Sequence, residues 1–155
     1  MLFTSFEFLF YFLPIVFLFF YVFKKFSIYI LIFASLIFYS TWNYYHLIIL
    51  IFSVIINFNI GKLILKFKNK LLLFSAIFLN ILILIVFKYT DFLIKNFNIF
   101  FDKDVLIFNL IFPLALSFYT LQQIAFLIDC YEDEIKKLNF KIYTTFVIFF
   151  PQLIS

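Results

Sequence analysis

Six polar side chains stand in order inside one apolar run: Ser117, Tyr119, Thr120, Gln122, Gln123 and Asp129, in FPLALSFYTLQQIAFLIDCYE from Phe112 to Glu132. Hydroxyls, amides and a carboxylate can bind and orient a polar ligand. Each would cost free energy in hydrocarbon unless protein or water satisfied it. Proton abstraction is another matter. The chain has one histidine, His46, in an aromatic stretch far from this run. Ser117 therefore has no His partner in the sequence around it, and a chain whose one glycine is Gly61 holds neither a Gly-x-Ser-x-Gly elbow nor a Gly-rich phosphate loop. The one cysteine, Cys130, excludes an internal disulfide and a multi-cysteine metal site, and its place at a helix end is that of a small apolar structural residue. Glu132, Asp133 and Glu134 beside Lys136 and Lys137 form a solvated loop.

Positioning those groups requires a helix. From a start near Pro113, Asp129, Gln122, Tyr119 and Gln123 fall within roughly 120° on a helical wheel, a single polar stripe that must face protein or a water-filled cavity. The rest of the chain dictates the surroundings. Of 155 residues, 67% are hydrophobic, and the mean hydropathy is +1.18. That excludes a soluble domain and predicts an all-α, multi-pass transmembrane bundle in the lipid bilayer. All 12 basic residues are lysine; without arginine forks or a clustered basic face, a nucleic-acid partner is not expected.

About six apolar segments follow in order, read as one transmembrane domain over residues 1–155. The first, Phe8 to Phe23, holds Pro14, expected to kink it, and is followed by Lys24 and Lys25. Glu7 rather than a basic residue precedes it and no small-residue cleavage site follows, so it is read as a retained span rather than a signal peptide. The second, about Ile28 to Tyr39, leads to Trp42, Tyr44 and Tyr45, an interfacial aromatic belt. The third, Leu47 to Ile60, contains Asn57 and Asn59 and stops at Gly61, which is expected either to end a helix or to let two backbones approach. Lys62, Lys66, Lys68 and Lys70 then form the most basic loop. The fourth runs from Leu71 to Phe87, followed to Asp104 by a connector of mixed charge at the membrane surface. The polar-striped helix is fifth, and a sixth apolar run starts at Ile142. Loops after the odd-numbered segments hold two, four and three lysines and the loop after the second none, which places the odd loops in the cytoplasm and the N-terminus outside.

The run PLALSFYTLQQIAFLIDCY resembles the signature of the membrane-bound O-acyltransferase family, in the bacterial branch that acetylates alginate, peptidoglycan and related polysaccharides. Pro113, Ser117, Phe118, Tyr119, Thr120, Gln122, Ile128, Asp129 and Tyr131 match it position by position. Ala115 stands where the family has Gly, a small change in packing, and Glu132 where Arg is frequent. Weaker elements lie in the right order: Phe3, Ser5, Phe12, Leu13 and Pro14; Phe38, Tyr39 and Trp42; Asn57 to Gly61; Phe87, Lys88, Tyr89 and Phe92; and Phe150, Pro151 and Gln152.

What the resemblance implies is acyl transfer across the bacterial inner membrane, from a thioester donor such as acetyl-coenzyme A on the cytoplasmic side to a polysaccharide hydroxyl on the other, with a periplasmic acetyltransferase as possible partner. Ser117, Tyr119, Gln122, Gln123 and Asp129 are then candidates for lining the tunnel or the substrate, and no metal is implied. The family's catalytic His lies downstream of the Phe-Pro-Gln element, beyond Ser155, and His46 does not match it. The chain therefore reads as the N-terminal portion of the fold, inactive alone. A last apolar run ending on a bare carboxylate supports the same reading. The rival is a non-catalytic multi-pass scaffold or transporter fragment; the ordered polar pattern favours the acyltransferase.

Overall fold

A computed structural model describes residues 5–41, 43–101, 106, 113 and 115–152. Among them there is no strand. Six α-helices follow in order: α1 Leu13–Val22, α2 Ser27–Ser40, α3 Tyr44–Phe67, α4 Lys70–Phe101, α5 Leu116–Tyr131 and α6 Phe140–Ile148. Two of them, α3 and α4, are long and apolar enough to cross a membrane, and the bent pair Phe8–Val22 and Lys24–Ser40 would make a third if it counts as one broken span. Six separate spans are thus not what the helix lengths give. At 1.5 Å per residue, α5 reaches only about 24 Å and α6 about 14 Å, against a hydrocarbon core of about 30 Å.

Helix α5 lies between α3 and α4, parallel to the first and antiparallel to the second. It packs through Phe126, Leu127 and Cys130 against Leu50, Val54, Phe58, Ile64, Leu73 and Ala76. α6 runs back along α5, with the ring of Tyr143 tilted against Phe126 at 4.0 Å and stacked on Phe58 at 5.6 Å. A second, smaller cluster joins Phe8, Ala34, Phe38 and Phe150, and the backbone N–H of Phe150 donates to Ser35 Oγ at 3.2 Å. The Phe-Pro-Gln element is thereby anchored on α2.

Several boundaries differ from the sequence reading. Gly61 does not end a helix: α3 continues to Phe67. Its other expected role is the one it has, because a Cβ there would lie 2.6 Å from Phe126 Cε1 and 3.4 Å from Cys130 Sγ. The basic loop shrinks to Lys68 and Asn69, since Lys62 and Lys66 belong to α3 and Lys70 opens α4. The connector after Phe87 is helical as far as Phe101, with no glycine or proline among its residues to interrupt the helix. Pro14 lies near the middle of a continuous helical stretch over residues 6–22, as expected, and the chain accommodates it with a π-helical turn, Phe8–Phe12, directly before α1. The large bend, 107°, falls at the 3₁₀ turn Lys24–Phe26 instead. Trp42, Phe3, the acidic and basic residues 102–104, and positions 112, 114 and 153–155 lie outside the described residues.

Two contacts were not foreseeable from periodicity. Lys68 adopts a left-handed backbone (φ 48°) at the end of α3, and its ammonium donates to the carbonyl oxygens of Cys130 at 2.9 Å and Tyr131 at 2.8 Å while pairing with Asp133. A cation thus satisfies the orphan carbonyls at the negative end of α5. Lys141 lies 4.4 Å over the ring of Tyr29. Together these contacts gather the three basic segments, around residues 24–25, 62–70 and 136–141, at one end of the bundle.

Ala115 precedes α5 with φ 57° and ψ 18°, the left-handed region. Where the sequence suggested a minor change of packing for Ala in place of Gly, the constraint lies in the backbone. We predict that Ala115→Gly stabilises the chain by on the order of 0.5–1 kcal/mol, the relief of the left-handed alanine less the added entropy of the unfolded glycine. Lys68→Met should cost about 1–2 kcal/mol and Asp133→Asn less than about 1, because Asp133 is exposed while the carbonyls lose a charged donor. Thermal loss of helical signal in detergent micelles measures all three.

Candidate functional site

The stripe anticipated on the fifth segment is buried in the bundle over most of its length: Tyr119 is 1% exposed, Gln122 9% and Gln123 0%. Neighbouring Thr120 is buried as well. Their depth follows from how α5 is held. With its C-terminal end capped by Lys68, Gln123 stands eight residues, or about 12 Å, inside that end. Asn57 and Asn80, counted from the same end of α3 and α4, each reach about 15 Å. Three amides from three helices therefore meet at one level.

Their hydrogen bonds close into a network. Asn80 Nδ2 donates to Asn57 Oδ1 at 2.7 Å and to the carbonyl of Ala76 at 2.9 Å. Asn57 Nδ2 lies within reach of Asn80 Oδ1 at 3.2 Å, Gln123 Oε1 at 3.0 Å and the carbonyl of Ser53 at 3.0 Å. Ser53 Oγ donates to Gln123 Oε1 at 2.7 Å. In an apolar surround each bond is held because no water competes for it. Ser53, Asn57 and Asn80 were not among the candidates drawn from the sequence. The available signal was asparagine within otherwise apolar spans, Asn57 and Asn59 in the third and Asn80 in the fourth, a pattern that marks interhelical contact.

Three polar atoms of α5, Tyr119 Oη, Gln122 Oε1 and Gln123 Nε2, are buried with no hydrogen-bond partner among the described residues, as are Tyr143 Oη and Thr144 Oγ1 of α6. Buried polar groups are ordinarily paired, so such atoms call for water or a ligand. Tyr119 and Thr120, with Ser53 and Asn80, also line a lateral groove of ≈ 270 Å³ whose other walls are apolar, among them Ile48 and Phe52. Asp129 lies elsewhere. It lines a cavity of ≈ 310 Å³ at the lysine-rich end, with Lys137, Asn139, Phe126, Tyr143 and Phe146, and its backbone carbonyl accepts from Glu134 N–H at 3.1 Å.

The five residues singled out in the sequence are thus not brought to one point. Tyr119 and Asp129 are about 15 Å apart along the helix, Gln123 belongs to the amide knot, Gln122 is buried beside it, and half-buried Ser117 joins neither cavity. His46 is buried, 8% exposed, in the first turn of α3. Cys130 is fully buried against Gly61, a packing position. Among the described residues no three of His, Cys, Asp and Glu approach closely enough to hold a metal ion. The arrangement can bind and orient polar groups within an apolar bundle; it presents no nucleophile and base in contact.

Long apolar helices sealed around buried amides define a helical membrane protein. The chain is similar to the peptidoglycan O-acetyltransferase of Helicobacter pylori (strain ATCC 700392 / 26695), at 34% identity over 154 aligned positions covering 81% of this chain and 29% of that protein. It therefore spans less than a third of the length of the curated relative it matches. No family model matches the chain, and no solved structure does.

The amide knot makes a specific energetic prediction. Asn57→Leu and Asn80→Leu should each destabilise the bundle, and the double variant should be less destabilised than the sum by about 1 kcal/mol, the scale of interhelical hydrogen bonds in membranes. A double-mutant cycle read by unfolding in detergent checks this; strict additivity would mean that the two amides are not coupled.

Proposed function

We propose that this chain is the N-terminal portion of a bacterial membrane-bound O-acyltransferase that moves acetyl groups from a cytoplasmic thioester donor, acetyl-coenzyme A, towards hydroxyls of peptidoglycan, with a periplasmic acetyltransferase as partner in the final transfer. The observation that carries the reading is the 34% identity to a relative named peptidoglycan O-acetyltransferase over 81% of this chain. That name favours peptidoglycan over alginate as the acceptor. Leu116–Tyr131, within the run where the motif resemblance is densest, forms the helix wedged into the centre of the bundle, which supports assigning it the polar lining of the passage.

In this reading the chain supplies walls rather than the base. Tyr119 Oη, Gln122 Oε1 and Gln123 Nε2, buried without partners, offer two donors and an acceptor to water or substrate in the passage. Asp129 and Lys137 flank its lysine-rich mouth. The gathering of basic segments at one end supports a cytoplasmic mouth in an inner-membrane protein with its N-terminus outside. Abstraction of the acceptor hydroxyl proton calls for a group with a pKa near neutrality. His46, at the opposite end of α3 from Lys68, does not meet the polar face, so the base belongs to the part of the acyltransferase that follows this chain.

The test is acetate released by mild base from the peptidoglycan of cells lacking their own O-acetyltransferase. Acetate should return when the chain is expressed together with its downstream coding region and not when it is expressed alone. Gln122→Leu in the joined protein should lower that acetate at least tenfold while membrane abundance falls less than twofold. Full acetylation at normal abundance would remove Gln122 from the passage, and no acetylation by the joined protein would overturn the acyltransferase reading.

A further inference from the structure

The direction of every amide in the knot is set by two backbone carbonyls. Asn80 Nδ2 donates to the carbonyl of Ala76 at 2.9 Å and to Asn57 Oδ1 at 2.7 Å; turned over, Asn80 would set its oxygen against that carbonyl. Asn57 is held in the same way, because its Nδ2 faces the carbonyl of Ser53 at 3.0 Å while its oxygen faces the Asn80 donor. A backbone carbonyl accepts and never donates. Asn57 therefore presents N–H to Gln123, and Ser53 adds its hydroxyl from the same helix, so both groups, at 3.0 and 2.7 Å, call for an oxygen. A reversed Gln123 would bring two NH2 groups face to face.

What remains of Gln123 is Nε2, fully buried, with both of its protons unused among the described residues. An unpaired donor in a place without water is costly, yet the knot holds Gln123 in that state. The groove of ≈ 270 Å³ reaches the knot at Ser53 and Asn80, which gives a small group its approach. Fixed polarity is selective. A hydroxyl both donates and accepts, so either orientation of the amide would serve it, whereas an acyl carbonyl oxygen only accepts. That oxygen also gathers negative charge when a hydroxyl adds to its carbon: the new C–O bond forms, the π pair moves onto the oxygen, and it returns as the thiolate leaves. The hydroxyl proton goes to the base that lies outside this chain.

We infer that Gln123 binds the carbonyl oxygen of the acyl group through Nε2, and that Ser53 and Asn57 are positioning residues that act through it. The ligand rests on the acyltransferase reading; the polarity of the knot rests on its hydrogen bonds alone.

Two measurements test this. The first is thermal unfolding of the chain in detergent micelles at about pH 5, where a buried carboxyl stays protonated. Gln123→Glu keeps an oxygen for Ser53 and Asn57 and should lower the midpoint less than half as far as Gln123→Met, which keeps none; equal losses would overturn the polarity. The second is acetyl transfer from acetyl-coenzyme A by the chain joined to its downstream coding region, compared at matched membrane abundance. Gln123→Met should lower kcat at least tenfold with the donor KM changed less than twofold. Ser53→Ala should lower kcat about threefold, Ser53→Thr should restore it, and Ser53→Ala should add no loss to Gln123→Met. Gln123→Glu should transfer while its carboxyl is protonated and fall away from the unsubstituted protein as rising pH forms the carboxylate, which cannot donate. Full turnover in Gln123→Met, or a Ser53→Ala loss that persists in that background, would overturn the inference. No transfer by the unsubstituted joined protein would overturn the acyltransferase reading and the ligand with it, while the micelle measurement still decides the polarity.

Discussion

The bundle depends on α5 being able to lie between α3 and α4 at close range, and that rests on one absent side chain. Gly61 lets the ring of Phe126 and the thiol of Cys130 approach the backbone of α3. Without that approach Gln123 would not reach Ser53 and Asn57, and the interior amides would face hydrocarbon unpaired. Hydrophobic burial does little to hold such helices together in lipid, since the surrounding chains are as apolar as leucine. Tight packing at a small residue and hydrogen bonds that have no competing water do the work instead.

The same logic orders the ends of the helices. In water the last carbonyls of α5 would be hydrated. Here Lys68 is delivered to them by a two-residue turn 62 positions earlier in the chain. The strained left-handed backbone at Lys68 is offset by what its ammonium reaches. Asn43 and Asn139 serve the opposite termini, accepting from the N–H groups of Tyr45 and Lys141. The start of α4 is closed in the same way by Asn69, which accepts from Leu71 N–H, whereas α5 begins at Ala115 without a side-chain cap.

Against this satisfied framework the unpaired atoms of Tyr119, Gln122 and Gln123 stand out. A bundle that pairs its asparagines this thoroughly and leaves three polar groups of one helix without partners has separated two tasks. One face of α5 holds the helices together, and the groups left over have no partner in the bundle. Gln123 belongs to both, with its oxygen in the knot and its nitrogen free.

How far the primary structure carries the account differs by level. Composition and the apolar run lengths alone establish an all-helical membrane protein, because no soluble core could absorb so many exposed Phe, Ile and Leu side chains. The stripe on residues 119–129 is equally legible, since helical periodicity is a property of local sequence. Helix ends were less so: α3 passes through Gly61 because the cost of a glycine is smaller than the gain from the contact it permits, and that gain is invisible without Phe126. The pairing of Asn57 with Asn80 and Gln123, the capping of α5 by Lys68, and the split of the candidate residues between two cavities all join positions far apart in the chain. Only tertiary structure decides them, because residue types and spacing set which groups must find partners, while the packing of helices sets which partner each one meets.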